Sequence, residues 1–92
     1  SDFIYEKIKI NIEKGMQQGM YKDDVSSEMV ARMYIAKLND IHNREIYPPE
    51  VFDFGTIFNN LIDGVIRTIT NEEGWQYYKQ RKQLYSVLSF NR

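Results

Sequence analysis

Residues Phe54–Thr70 read FGTIFNNLIDGVIRTIT, and this apolar helical pattern guides the interpretation of the whole chain. On a helical wheel at about 100° per residue, its apolar side chains cover about half of the circumference. These apolar residues are Ile57, Phe58, Leu61, Ile62, Val65, Ile66 and Ile69. An ordinary surface helix shows a narrower apolar stripe. We therefore predict a helix that is covered on two sides.

The two edges of this apolar arc differ in the size of their side chains. The first edge includes two small residues, which let another backbone come close: Ile57, Leu61, Gly64 and Thr68. The second edge is bulky and suits a protein interior: Phe58, Ile62, Ile66 and Ile69. One interpretation is a helix between its own subunit and a second subunit. The alternative is a central helix inside one small monomer, because amphipathicity identifies faces and not partners.

The composition is that of a small folded protein. Of the 92 residues, 42% are hydrophobic and 14% are aromatic, which is typical of globular and not of disordered chains. A chain of this length holds one domain, so we predict a single helical domain over residues 1–92. Its large ratio of surface to volume means that a small helical unit gains stability from pairing.

Several classes of protein are disfavoured by what the sequence lacks. It contains no cysteine, which excludes disulfides and thiolate metal sites. No apolar run approaches the roughly 20 residues that span a bilayer, and we expect a cytoplasmic protein without membrane contact. The net charge of −1 differs from the basic excess of chains that bind nucleic acid by themselves. The chain begins at Ser1 and not at methionine, so we expect a processed product or part of a longer protein.

Helical periodicity predicts three further helices and an all-α fold. With the central helix, the predicted set is Asp2–Gln18, Ser27–Ile41, Phe54–Thr70 and a fourth helix from about Glu72. Residues with short polar side chains precede the last three and suit N-caps: Ser26, Asp53 and either Asn71 or Thr70. The prolines Pro48 and Pro49 place a loop between the second and third helices, since proline cannot sit inside a helix.

No group of residues has the spacing of a catalytic or metal site. His42 is the only histidine, and we interpret it as a surface residue at the start of a loop. Asp23 and Asp24 are not followed by the spacing of a calcium loop. The cations Lys79, Arg81 and Lys82 lie near tyrosines, which we interpret as a solvated helix face and not as a nucleic-acid site. We predict no catalytic residue, no metal and no cofactor, and therefore no enzyme.

Four stretches in order resemble the tetracycline-repressor (TetR/AcrR) family of bacterial transcriptional regulators. They are IEKGMQQGMYKDD at 12–24, SSEMVARMY at 26–34, YPPEVFDF at 47–54 and IRTITNEEG at 66–74. The corresponding family stretches are IEKGIEEGLFRDD, NPELVARLY, FPPEEFSF and LRGIATPKG. Two departures are Thr68, where the family has glycine, and Asn71–Glu72, where it has Thr-Pro. Thr68 makes close backbone contact less easy.

The resemblance implies a specific role for these helices. Such regulators join an N-terminal helix-turn-helix, which binds operator DNA, to a helical domain that binds a small effector and forms a homodimer through a four-helix bundle. This chain holds only the later helices of that plan, so operator DNA would be bound only by the missing N-terminal domain. The two bundle helices would be Ser27–Ile41 and Phe54–Thr70. The family's effector-contacting residues vary too much to be transferred by motif.

These considerations lead to two sets of candidate residues. The predicted dimer interface is Arg32, Met33, Ile35, Ala36, Asn39, Ile57, Leu61, Gly64, Val65 and Thr68. Residues of the inner face that either line a site for a small apolar effector or simply form the core are Tyr5, Ile8, Ile12, Phe58 and Ile62. The expected function is the C-terminal effector-binding and dimerisation domain of a TetR-like regulator, most simply a repressor. The alternative is a stand-alone helical protein-interaction module with no role at DNA.

Overall fold

A computed structural model describes residues 2–90 of the chain, with side chains from residue 3 to residue 84. The described residues form four helices and no strand, which confirms the all-α prediction. The helices are α1 (Asp2–Gln17), α2 (Ser27–Asp40), α3 (Phe54–Ile69) and α4 (Glu72–Phe90). The first three end one residue before the predicted ends. None of the helices in the described region has the length and hydropathy needed to cross a bilayer.

The three predicted N-caps form local hydrogen bonds at the starts of α2, α3 and α4. The Ser26 hydroxyl accepts the N–H of Met29 at 3.2 Å, and the Asp53 carboxylate accepts the N–H of Thr56 at 3.1 Å. At α4 the side-chain oxygen of Asn71 accepts the N–H of Gly74 at 2.9 Å. Asn71 and not Thr70 is therefore the cap of α4. Each such cap stabilises its helix by about 1 kcal/mol.

The buried core is small for the amount of apolar surface in the chain. Among the described side chains, five hydrophobic residues are buried: Ile12, Ala31, Ile41, Ile57 and Ile69. On the bulky edge of α3, Ile69 is buried and Ile62 is half-buried, whereas Phe58 is 37% exposed. Other large apolar side chains are at least half exposed, among them Phe3, Ile10, Met29 and Val51. The fold therefore leaves extensive apolar surface uncovered within the described chain.

Hydrogen bonds between residues 19–22 and residues 69–74 form a junction between the N-terminal and C-terminal halves of the chain. The N–H of Lys22 donates to the carbonyl of Ile69 at 2.9 Å, and the N–H of Asn71 donates to that of Met20 at 3.1 Å. The Asn71 side-chain amide also donates to the carbonyl of Gly19 at 2.7 Å. Gly74 lies against the Met20 carbonyl so closely that no Cβ would fit. The start of α4 is thereby placed beside the end of α1.

Gly19 allows the chain to turn into this junction. Its φ of +73° is the only positive φ in the described part of the chain. The left-handed conformation costs glycine little because glycine has no Cβ. The prediction that α1 stops at Gly19 is confirmed to within two residues. The helix ends at Gln17, and the next two residues, Gln18 and Gly19, form a turn.

Candidate functional site

Six of the ten predicted interface residues lie on one continuous surface of α2 and α3. We call this surface the α2–α3 face: Met33, Ile57, Leu61, Gly64, Val65 and Thr68. They line two adjoining depressions, one of about 640 Å³ and one of about 50 Å³, which share Lys37 and Val65. In the larger depression, the wall opposite α3 is formed by Ile41 together with the loop residues Tyr47 and Phe52.

The α2–α3 face is partly accessible in the single chain. A Cβ added at Gly64 would meet nothing within 4 Å, and Met33 is 51% exposed. Thr68 is exposed as well, with its hydroxyl donating to the carbonyl of Gly64 at 2.8 Å. Ile57 differs from these because it is already buried by its own chain. The face therefore offers an exposed helix backbone flanked by apolar side chains.

The other four predicted interface residues do not line these depressions. The Arg32 guanidinium lies 4.8 Å from the centre of the Tyr5 ring of α1 and bonds Glu28 at 3.3 Å. It is thus directed towards α1. Ile35 is half-buried, and Ala36 and Asn39 are exposed.

Three of the five candidate effector-lining residues lie together in a cavity of about 240 Å³ between α1, α2 and α3. These three are Ile8, Ile12 and Ile62. We call this space the inner cavity. The other two candidates lie elsewhere. The Tyr5 ring packs under Arg32, and the Phe58 ring stacks on Phe54 with a centroid distance of 6.2 Å.

Sequence reasoning missed the polar residues of the inner cavity. Asn11, Tyr21 and Tyr34 line it together with aliphatic side chains. Burial raises the pKa of both tyrosine hydroxyls above the ordinary value of 10.0. Tyr21 lies in a segment interpreted only as a short connection. The one indication of Tyr21 in the sequence is the glycine at position 15. A Cβ at Gly15 would lie 2.7 Å from the Tyr21 ring, so the ring can pack there only against glycine.

The inner cavity is the space among the described residues that best suits a small ligand. No group of three His, Cys, Asp or Glu residues that could hold a metal ion occurs among them. His42 is exposed, as predicted, and its ring stacks on Phe54 with a centroid distance of 5.5 Å. Because the inner cavity is lined mainly by aliphatic side chains, it suits the apolar part of a small molecule.

Comparison with known proteins does not assign the chain. No protein-family model matches it, no curated protein is significantly similar to it, and no solved structure matches it. The resemblance to TetR-like regulators stays a prediction from four short motifs.

Proposed function

We propose that the chain is the C-terminal effector-binding and dimerisation domain of a TetR-like bacterial transcriptional regulator. Its role in this proposal is to bind a ligand and a second copy of itself, without catalysis. The observation that carries the proposal is the α2–α3 face, where the accessible backbone at Gly64 adjoins apolar side chains of two helices. Operator binding would belong to a helix-turn-helix in another part of the full protein, and the effector would release the repressor from DNA.

Two copies can cover this face by twofold symmetry. In a twofold dimer the same patch meets itself, so α2 and α3 of each copy would form a four-helix bundle. A small residue at the crossing point lets helix backbones approach closely, and Gly64 has that free space. Specific dimers bury roughly 800 Å² per partner, and the loop residues Tyr47 and Phe52 adjoin the helices in the larger depression.

The inner cavity borders the same two helices. Val65 lines both the inner cavity and the α2–α3 face, and Tyr34 and Ile69 line the cavity and the smaller depression. A ligand in the cavity would therefore touch the side chains that separate it from the partner copy. Such a ligand shifts the dimer geometry only if it binds one geometry more tightly than the other. In the full protein, that shift would change the spacing of two DNA-binding heads that contact half-sites about one helical turn apart.

The dimer can be tested by sedimentation of the wild-type chain and of Gly64→Arg. We expect the wild type to be a dimer and Gly64→Arg to be a monomer with unchanged helicity, because the arginine would occupy the space required by the second backbone. Asn59→Arg is the matched control, since Asn59 is an exposed α3 residue that lines neither depression. A wild-type chain that stays monomeric at high concentration would refute the proposal for this domain.

The second candidate function is a stand-alone helical protein-interaction module. It is favoured by exposed apolar side chains away from the α2–α3 face, such as Phe3 at 75% and Val51 at 71% exposure. The sequence of the full gene separates the two candidates. An upstream segment with a helix-turn-helix pattern supports the regulator, and its absence supports the interaction module.

A further inference from the structure

A second cleft, of about 360 Å³, lies between α1 and α4 beside the junction. Polar side chains line it from both sides: Asn11 and Lys14 of α1 with Gln18 of the turn that follows, and Tyr77, Tyr78 and Arg81 of α4. Gly15 and Gly74 also line it, and neither position has room for a Cβ. Both glycines therefore lie in close contact with the junction, Gly15 against Tyr21 and Gly74 against Met20.

The lining of this cleft is cationic. The described residues that line it include Lys14 and Arg81 and no carboxylate, although the whole chain has a net charge of −1. Neither cation forms an ion pair with any side chain that the structure describes, in contrast to Lys82, which bonds Asp63 at 2.7 Å. The Arg81 guanidinium lies 5.7 Å from the centre of the Tyr77 ring, which supports its position on α4. The cleft thus presents two unneutralised positive charges from two different helices.

The cationic cleft and the inner cavity adjoin each other. Asn11, Tyr21 and Ile66 line both. Beyond these shared residues, the inner cavity is largely aliphatic: Ile8, Ile12, Val30, Ile62 and Ile69. A ligand that lies across Tyr21 would have an apolar environment at one end and positive charge at the other.

We propose that these two spaces form one site for an amphipathic organic anion, with a carboxylate between Lys14 and Arg81 and an apolar body in the inner cavity. Apolar burial of the body supplies affinity, and charge-assisted hydrogen bonds to the head fix its orientation. This proposal extends the proposed function by naming the class of ligand. It rests on the proposed function for one point, that the site is regulatory. Binding itself depends only on the residues of this chain.

The test is calorimetric titration of the 92-residue chain with three probes, octanoate, 1-octanol and inorganic phosphate. We expect octanoate to bind about tenfold more tightly than octanol, since one charge-assisted contact contributes about that factor. Phosphate, which has no apolar body, should not bind measurably. If octanoate does not bind, if octanol binds equally well, or if phosphate binds as tightly as octanoate, the proposal is wrong.

Paired variants separate the charged end from the apolar end. The double variant Lys14→Gln/Arg81→Gln should bind octanoate about tenfold more weakly and should bind octanol with unchanged affinity. The matched control, Lys7→Gln/Lys79→Gln, removes the same charge from the same two helices at positions that do not line the cleft. Ile62→Gln should weaken the binding of both octanoate and octanol. Circular dichroism of this variant checks that its helicity is unchanged. An octanoate affinity that is equal in the cleft variant and in the control would overturn the assignment of the two cations.

The outcome is separable from that of the dimer test. If the chain sediments as a monomer and still binds octanoate, the result supports the anion site and refutes the dimer. A dimer that binds no octanoate would keep the proposed function and refute the anion site. Both measurements use the same wild-type chain.

Discussion

Asp63 joins α3 to α4 through two side chains of α4. Its carboxylate accepts the hydroxyl of Tyr78 at 2.6 Å and the ammonium of Lys82 at 2.8 and 2.7 Å. The hydrogen bonds from Lys82 and Tyr78 hold the pKa of Asp63 below its usual value of 3.8. Burial and the Asp63 carboxylate raise the pKa of Tyr78 to about 12. The pair with Lys82 is solvent-exposed, and such pairs contribute about 0–1 kcal/mol to folding.

The raised pKa of Tyr78 gives an alkaline pH dependence. A group whose pKa is higher in the folded than in the unfolded chain contributes stability that is complete below the unfolded value of 10.0 and is lost as pH rises through about 12. We expect the free energy of unfolding of the wild type to fall more steeply over this range than that of Tyr78→Phe, which has no ionisable hydroxyl. Urea titrations of both proteins at several pH values measure the difference. Identical slopes would contradict the Tyr78–Asp63 hydrogen bond, and Tyr77→Phe, which changes an exposed tyrosine, is the control.

At the scale of the elements, residues close together in the sequence predict where the helices begin. A contact between distant residues fixes the position of α4 beside α1. The caps Ser26 and Asp53 bond residues three positions ahead, so they can be recognised in the sequence. Asn71 caps α4 by a local bond to Gly74, but its side-chain amide also bonds the carbonyl of Gly19, 52 positions away, which the sequence does not show. The direction of Arg32 towards Tyr5 also required the packing of α1 against α2. A helical wheel of α2 alone contains no information about that neighbour.

Asn71 should matter more than an ordinary cap. Asn71→Ala removes the cap bond to Gly74 and the bond to Gly19, so we expect a loss of about 2 kcal/mol in the free energy of unfolding. Ser26→Ala, which removes one exposed cap bond, should cost about 1 kcal/mol. Urea titration compares the two variants. Equal losses would mean that the long-range bond contributes nothing to the junction.

At the scale of the whole molecule, five hydrophobic residues are buried among the side chains of residues 3–84, while side chains as large as Phe3 and Phe54 are more than half exposed. Apolar burial contributes about 25 cal/mol for each Å² removed from water, so a core of this size supplies limited stability. Covering the α2–α3 face with a second copy would add to it. In the proposed homodimer, the stability of the domain would be coupled to its concentration.

This coupling predicts that the urea midpoint of the wild-type chain rises with protein concentration, because mass action favours the dimer. The midpoint of Gly64→Arg should be independent of concentration, and Asn59→Arg should behave as the wild type. Unfolding curves followed by circular dichroism over a hundredfold range of concentration measure this. A wild-type midpoint that does not move would indicate that a single chain holds all of the stability.

The amino-acid sequence by itself determined the number of helices, the bounds of α1, α2 and α3 to within a residue, and the caps of α2 and α3. These features depend on contacts within one or two turns, which the order of residues shows directly. Only the tertiary structure decided which residues share a cavity, that Tyr21 from a connection lines it, and that Lys14 and Arg81 face one cleft. Those neighbours are far apart along the chain, and the junction around Asn71 brings them together in space.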